Sequence, residues 1–187
     1  MHACGLVIGA TGMLAEATIS LSARCDLLTF TAQSSQSISR MSKVLEHTNA
    51  RCIGLTLDWN EETKFLARLA AHCDEYGYPS LIVAWLHDDR LGAKIATFFA
   101  MHGERTKFYQ IRGSAAAKPG TGTAVIADQH LSYKNQDYHE IILGFELEPS
   151  GSRWLSNSEI SAGVISAIDS GDSVSVVGVV DPWASRP

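Results

Sequence analysis

The chain begins with a short apolar run, residues 4–8 (Cys-Gly-Leu-Val-Ile), that passes without a break into Gly9-Ala10-Thr11-Gly12-Met13-Leu14-Ala15. No other stretch constrains the fold as tightly. A continuous apolar run of strand length marks a strand buried on both faces. Behind the turn, Met13, Leu14, Ala17 and Leu21 fall at helical spacing and predict a helix over residues 13–24. A strand that turns straight into a helix through two glycines is how a βαβ unit begins, and such units build parallel sheets covered on both sides. Gly9 permits the tight turn, Gly12 lacks a Cβ and lets a ligand approach the backbone, and Ala15 is small enough for close helix–strand packing. The backbone of Thr11, Gly12, Met13 and Leu14 then lies at a helix N-terminus, a natural seat for a diphosphate. A tight turn that binds nothing would use the same glycines. Its place between strand and helix, at the head of a βαβ unit, is what favours the ligand.

The alternation continues along the chain. Strands are predicted at residues 27–31, 52–57, 80–86, 107–111, 138–147 and 173–179. Helices are predicted from Ser34 or Ser35 to about residue 47, from an Asn60 N-cap through residue 76, over 89–102 and over 157–168. Glu61 and Glu62 occupy the favoured first turn of the 60–76 helix, and Phe65, Leu66, Leu69, Ala70 and Cys73 form its buried stripe. Between residues 113 and 136 the pattern breaks, with Gly113, Pro119, Gly120 and Gly122 and little periodicity. The fold class is therefore α/β: a doubly wound Rossmann fold with a mostly parallel sheet of about seven strands and helices on both faces. The expected strand order is 3-2-1-4-5, with later strands beyond the fifth. No linker or repeat divides the chain, so residues 1–187 are expected to form one domain.

Charge narrows the partners. The formal net charge is −5, and the basic residues are scattered. Nucleic acid and anionic membranes both need a basic surface, so neither is expected. No apolar run is long enough to span a bilayer. The start, Met1-His2-Ala3-Cys4, has neither the cationic segment nor the cleavage site of a signal peptide. Cys4, Cys25, Cys52 and Cys73 are widely spaced without a C-x-x-C pair, and read as buried, reduced thiols of a cytoplasmic protein. His87-Asp88-Asp89 has metal-ligating residue types, but adjacent side chains rarely converge on one ion, and Asp88 or Asp89 more simply caps the next helix. No metal is expected. Trp59, Trp85, Trp154 and Trp183 are too dispersed for a base-stacking platform and are expected in the core or at interfaces. Hydrolase and kinase readings lack their G-x-S-x-G or P-loop motif.

The segment Leu6-Val7-Ile8-Gly9-Ala10-Thr11-Gly12-Met13-Leu14 resembles the opening of the short-chain dehydrogenase/reductase superfamily, and the G-x-x-G-x-x-A spacing resembles its extended and atypical members. The resemblance continues at Leu57-Asp58, where the family places an aspartate after its third strand. It returns at Arg153-Trp154-Leu155-Ser156-Asn157-Ser158-Glu159-Ile160-Ser161, similar to the capped helix before the last strand of short bacterial members. It covers nearly the whole chain, with a gap between the fifth and sixth strands. The resemblance implies NAD(P)(H) binding, Asp58 on the adenine amino group, and an oxidoreductase of small carbonyl or alcohol substrates. The family's Tyr-x-x-x-Lys pair, however, is absent: Tyr109 is followed four residues on by Gly113, Tyr133 by Asp137 and Tyr138 by Ile142. The fourth strand ends in Ala84-Trp85-Leu86-His87, where relatives carry Asn-Asn-Ala-Gly. A non-catalytic dinucleotide-binding sensor or scaffold is the alternative.

The remaining candidates follow from topology, because ligands of this fold lie outside the carboxyl ends of the strands. Those ends are His87 after strand four, Arg112-Gly113-Ser114 after strand five and residues 146–148 after strand six. Ser114 stands roughly where the family's substrate-orienting serine stands, His87 is an acid or base near neutral pH, and Tyr133 with Lys134 lies in a segment able to fold over a ligand. Ser114, His87 and Tyr133 are the catalytic candidates; an ordinary loop serine and a backbone-bonded strand-end histidine are the competing readings. The tip of the second strand, Thr31-Ala32-Gln33-Ser34-Ser35, carries neither the acidic residue of NAD binders nor the arginine of NADP binders. Gln33 stands where short relatives often carry an arginine, and Gln33 and Ser34 join the cofactor-binding candidates; Ser34 and Ser35 offer hydroxyls to a phosphate, while Arg40 and Lys43 fit an exposed helix face better than a reach to it. Lack of an acidic repeller tilts the choice toward NADP over NAD. Trp59 and Ala84, beside Asp58 and at the end of strand four, complete the cofactor set. The resemblance also implies a homodimer through helices or the last strand.

Overall fold

The computed structural model describes residues 2–102, 105–119 and 134–187. Seven strands form one parallel sheet, in the spatial order residues 51–56, 25–32, 2–8, 81–85, 106–112, 136–143 and 174–177. They are β1 (His2–Ile8), β2 (Cys25–Ala32), β3 (Arg51–Thr56), β4 (Leu81–Trp85), β5 (Thr106–Arg112), β6 (Gln136–Leu143) and β9 (Val174–Val177). The helices are α1 (Ala15–Ser22), α2 (Ser35–Leu45), α3 (Glu62–Tyr76), α4 (Asp89–His102) and α5 (Asn157–Ser170). The expected doubly wound order is the observed one.

Both faces of the sheet are apolar, which is why β1 and β4 read as unbroken runs rather than alternations. Val7, Phe30, Tyr109 and Ile141 point to one side, where Leu14, Ala17 and Leu21 of α1, Met41 and Leu45 of α2 and Val164 of α5 meet them. Leu6, Ile8, Ile82 and Phe108 point to the other, against Phe65, Leu69 and Cys73 of α3 and Leu91, Ile95 and Phe99 of α4. Fully burying one such side chain contributes about 1.5–3 kcal/mol. Between them, the two layers hold the central strands rigidly and leave only the strand ends open.

Local chemistry moves several boundaries. Helix α1 begins at Ala15 instead of Met13, because residues 9–14 are all spent on the turn. Helix α3 begins at Glu62, and Asn60 is not its cap: the Asn60 backbone N–H and Nδ2 both donate to Asp58 Oδ1, at 3.0 and 2.9 Å. Ser34 does cap α2, and Asp88 accepts from the Arg90 N–H at the start of α4. Ser156 and Glu159 form a reciprocal capping box on α5, which ends at left-handed Gly171.

The largest departure concerns the run 138–147. It is two strands, not one: β6 stops at Leu143, and β7 (Phe145–Glu148) pairs antiparallel with β8 (Gly151–Trp154), a strand that the sequence pattern does not show. Gly144 makes the break possible, since an added Cβ would collide with the Val179 carbonyl. Phe145 then bridges to Val179, tying the hairpin to the segment after β9. Residues 146–148 are accordingly hairpin, and the carboxyl end of β6 is Leu143-Gly144 instead. Cys25 and Cys73 are buried and Cys4 and Cys52 half-buried, all as free thiols. Burial pushes the Cys25 thiol up to about 11 and the Cys73 thiol up to about 12. Among the described residues, no helix is long and apolar enough to cross a membrane.

Candidate functional site

The carboxyl ends of the central strands carry two neighbouring cavities that share Met13 and Trp85. The first is an open cleft of about 360 Å3 between the β1–α1 turn and the tips of β2 and β4. Gly9, Thr11, Gly12 and Met13 form its floor; Gln33, Ser34 and Ser37 stand at one end, and Trp59 and His87 also line it. The turn is held from both sides. Thr18 Oγ1 donates to the carbonyls of Ala10 and Leu14 (3.2 and 2.8 Å), and Ser161 Oγ of α5 donates to the Met13 carbonyl at 2.8 Å.

The two glycines differ in what they answer to. Gly9 has φ +78°, and an added Cβ would come within 2.8 Å of the Trp85 carbonyl, so the chain itself demands glycine there. Gly12 lies outside the left-handed region, and its added Cβ would meet nothing within 4 Å. Nothing among the described residues requires that glycine; a group approaching from the cleft would. The N–H groups of Thr11, Gly12, Met13 and Leu14 donate to no acceptor among the described residues, and Leu14 supplies no side-chain cap to α1. Four consecutive open donors at a helix N-terminus are an anion seat. Leu14 itself is fully buried and takes part through its backbone alone.

At the far end of the cleft, Asp58 is fixed by the Asn60 backbone and side-chain amides and by Gln33 Nε2 at 2.8 Å. The Asn60 N–H, and next the Gln33 amide, hold its carboxyl below the usual aspartate range. The carboxylate thus stays ionised and oriented beside the tip of β2. Arg40 and Lys43 are exposed and do not line the cleft. Ala84 is buried in β4 and lines neither cavity; the next residue, Trp85, lines both.

The second cavity, about 320 Å3, lies over the ends of β5 and β6. Its walls are mostly apolar, and Ser114, Asn157 and Arg186 are its polar side chains. Ser114 begins a 3-10 turn (Ser114–Ala117) directly after β5. The strand end beneath it is pinned by Arg112, whose guanidinium donates to Asp89 Oδ2 at 2.8 Å and to Glu140 Oε1 at 3.4 Å. His87 and Ser114 therefore face different cavities on either side of Trp85, whose ring centroid lies 5.4 Å from that of His87. Tyr133 lies outside the described residues. No cluster of three or more metal-ligating side chains occurs among those described.

Arg186 is the residue that sequence reasoning missed. Nothing in its neighbourhood marks it, apart from the Pro182 turn signal that folds the segment back. Two tryptophans fall differently from the expected core or interface packing: Trp154 is 46 % exposed and, with Trp85, forms cavity wall; Trp59, a member of the expected cofactor set, lines the cleft.

No family model and no curated protein matches the chain. Its fold is similar to those of solved short-chain dehydrogenases. A bulky-bulky ketone specific alcohol dehydrogenase from Comamonas testosteroni superposes with a TM-score of 0.71 at 14% identity, covering 97% of this chain and 88% of that one. A short-chain dehydrogenase from Sphingobium yanoikuyae, solved with NADPH, gives 0.70 at 13% identity, covering 97% and 91%. A putative oxidoreductase from Escherichia coli K-12 gives 0.67 at 12% identity over the whole of both chains.

Proposed function

We propose that the chain is a short, atypical short-chain dehydrogenase/reductase that binds NAD(P)(H) and acts as an oxidoreductase on a small carbonyl or alcohol. The observation that carries this reading is the row of N–H groups at Thr11, Gly12, Met13 and Leu14, open among the described residues and set over a glycine that none of those residues requires. The turn from Gly9 to Leu14 would hold the diphosphate, Asp58 and Trp59 the adenine end, and Gln33 and Ser34 the ribose. Bound there, the nicotinamide supplies a hydride donor or acceptor. The chain's own part is to bind, to orient and to hold a proton. Ser114 Oγ accepts from Arg186 Nε at 2.8 Å and so keeps its hydrogen for a substrate oxygen. Without the Tyr-x-x-x-Lys pair, proton transfer falls to Ser114, His87 or Tyr133.

The cleft meets a 2′-phosphate with the Ser37 hydroxyl, whose hydrogen stays free while its Oγ accepts from Ser34 Oγ at 2.9 Å, and, among the described residues that line it, with no lysine or arginine. NADPH is favoured over NADH, but without a cation the preference stays below about tenfold, or about 1.4 kcal/mol. The decisive experiment is calorimetric and thermal-shift titration with NAD(H), NADP(H) and FAD. A nicotinamide dinucleotide is expected to raise the melting temperature. Gly12→Val should keep the fold and weaken binding by about tenfold or more. If no dinucleotide stabilises the protein at millimolar concentration, the reading falls.

The missing Tyr–Lys pair favours a second reading, a dinucleotide-binding sensor or scaffold without turnover. NADPH oxidation against a carbonyl panel, with Ser114→Ala and His87→Ala as controls, separates the two. A homodimer is also proposed: β9 forms one edge of the sheet and leaves Val174 and Val176 half exposed. Light scattering tests it.

A further inference from the structure

The second cavity is lined by an exposed cation, Arg186, and among the described residues no carboxylate pairs with that guanidinium. Nor is this a loose side chain. Its backbone N–H donates to the Trp183 carbonyl at 3.2 Å, closing a 3-10 turn (Trp183–Ser185), and Ser152 Oγ of β8 donates to the Ser185 carbonyl. The guanidinium carbon lies 4.8 Å from the centre of the Trp154 ring and 5.3 Å from that of Trp183. Nε donates to Ser114 Oγ at 2.8 Å. One N–H and two ring faces thus hold the planar group, and its Nη atoms donate to nothing among the described residues.

An arginine held in this way is built for a planar anion, because its free N–H groups match a carboxylate two by two. The rest of the cavity sets the size and the neighbouring chemistry. Met13, Leu143, Leu155, Ile160 and the two indoles Trp85 and Trp154 give it apolar walls. The same guanidinium that offers its Nη atoms to an anion also holds Ser114, which leaves the serine hydroxyl hydrogen free to donate. A ligand that satisfies both must carry its carboxylate and a second oxygen only a few ångströms apart.

We propose that Arg186 is the specificity-determining residue of the second cavity and selects a small carboxylate whose carbonyl or hydroxyl stands α or β to the acid group, with an apolar or aromatic remainder against the tryptophans. This deepens the oxidoreductase reading, on which the role of the second oxygen rests, but the anion site stands on its own geometry.

The test uses phenylglyoxylate and its uncharged methyl ester, titrated into the full chain with NADP+ present and followed by tryptophan fluorescence and calorimetry. The acid should bind at least about tenfold more tightly than the ester. Arg186→Gln should lose that difference, while Arg186→Lys, which keeps the charge but not the paired N–H groups, should keep part of it. Melting curves of both variants establish that they are folded. If acid and ester bind alike, or Arg186→Gln leaves the preference intact, the assignment is overturned. It is overturned equally if the wild type binds NADP+ but not the acid, an outcome that spares the cofactor reading. Acid binding that depends on Arg186 in a protein that takes no dinucleotide would keep the anion site and sink the oxidoreductase.

Discussion

Two arginines in this protein each sit between two carboxylates, and burial gives the pairs opposite characters. Arg112 is 7 % exposed and reaches Asp89 and Glu140, the latter only 3 % exposed. Arg153, on the β7–β8 hairpin, is 43 % exposed and reaches Glu148 at 2.7 Å and Glu159 at 2.8 and 2.9 Å. In the buried cluster, desolvation pushes the Glu140 carboxyl above the usual glutamate range, and Arg112 only partly offsets it. In the exposed cluster, the Arg153 hydrogen bonds, and next the Ser156 N–H, hold Glu159 far below that range. The same arrangement, one guanidinium between two carboxylates, therefore does different work in the two places. The buried set fixes the end of β5, where Ser114 begins, and is costly to disturb; the exposed set links the hairpin to the start of α5 and is cheap to disturb.

The largest expected effect is that of Arg112→Met, which strands Glu140 in the interior. It should cost about 3–5 kcal/mol in urea unfolding, and a cost below about 1 kcal/mol would show that the cluster is hydrated. Acid titration should divide the two sets. A carboxyl whose folded pKa is raised binds its proton more tightly folded than unfolded. Its contribution is therefore fully present below the ordinary glutamate range and is lost as pH rises through the folded pKa. Glu140 behaves so, and Glu140→Gln should flatten the fall in stability as pH rises above about 4.5. Glu159 has the opposite sign: its contribution is present above the ordinary range and lost as pH falls below it. Glu159→Gln should remove an acid-side loss, seen by following melting temperature against pH. The smallest effect is that of Arg153→Met, which should shift the unfolding midpoint barely beyond measurement error, and less still in high salt.

The sheet was legible in the sequence because both its faces are buried. The central strands β1 and β4 then read as near-continuous apolar runs, and the helices between the strands keep a 3.6-residue period. The first cleft was legible for a related reason, since its floor is a local turn whose glycines, Gly9 and Gly12, stand three positions apart in the chain. The second cavity was not. Its walls come from β5, the end of β6, the hairpin, α5 and the segment after β9, and nothing in local spacing says that Arg186 returns to Ser114. The break at Gly144 was hidden for the same reason: the carbonyl that forbids a side chain there belongs to Val179, far along the chain. Glu140, a charged residue inside an apolar run, is a signal of a buried polar partner, and Arg112 is that partner.

Trp85, shared by the two cavities, also divides them in time. Every residue lining the first cleft has been synthesised by His87, whereas the second cannot close until Arg186 emerges, roughly a hundred residues and, at cellular rates, about 5–20 s later. During that interval the nascent chain carries the lining of the first cleft, but neither Ser161, which holds the Met13 carbonyl, nor the closing wall of the second cavity.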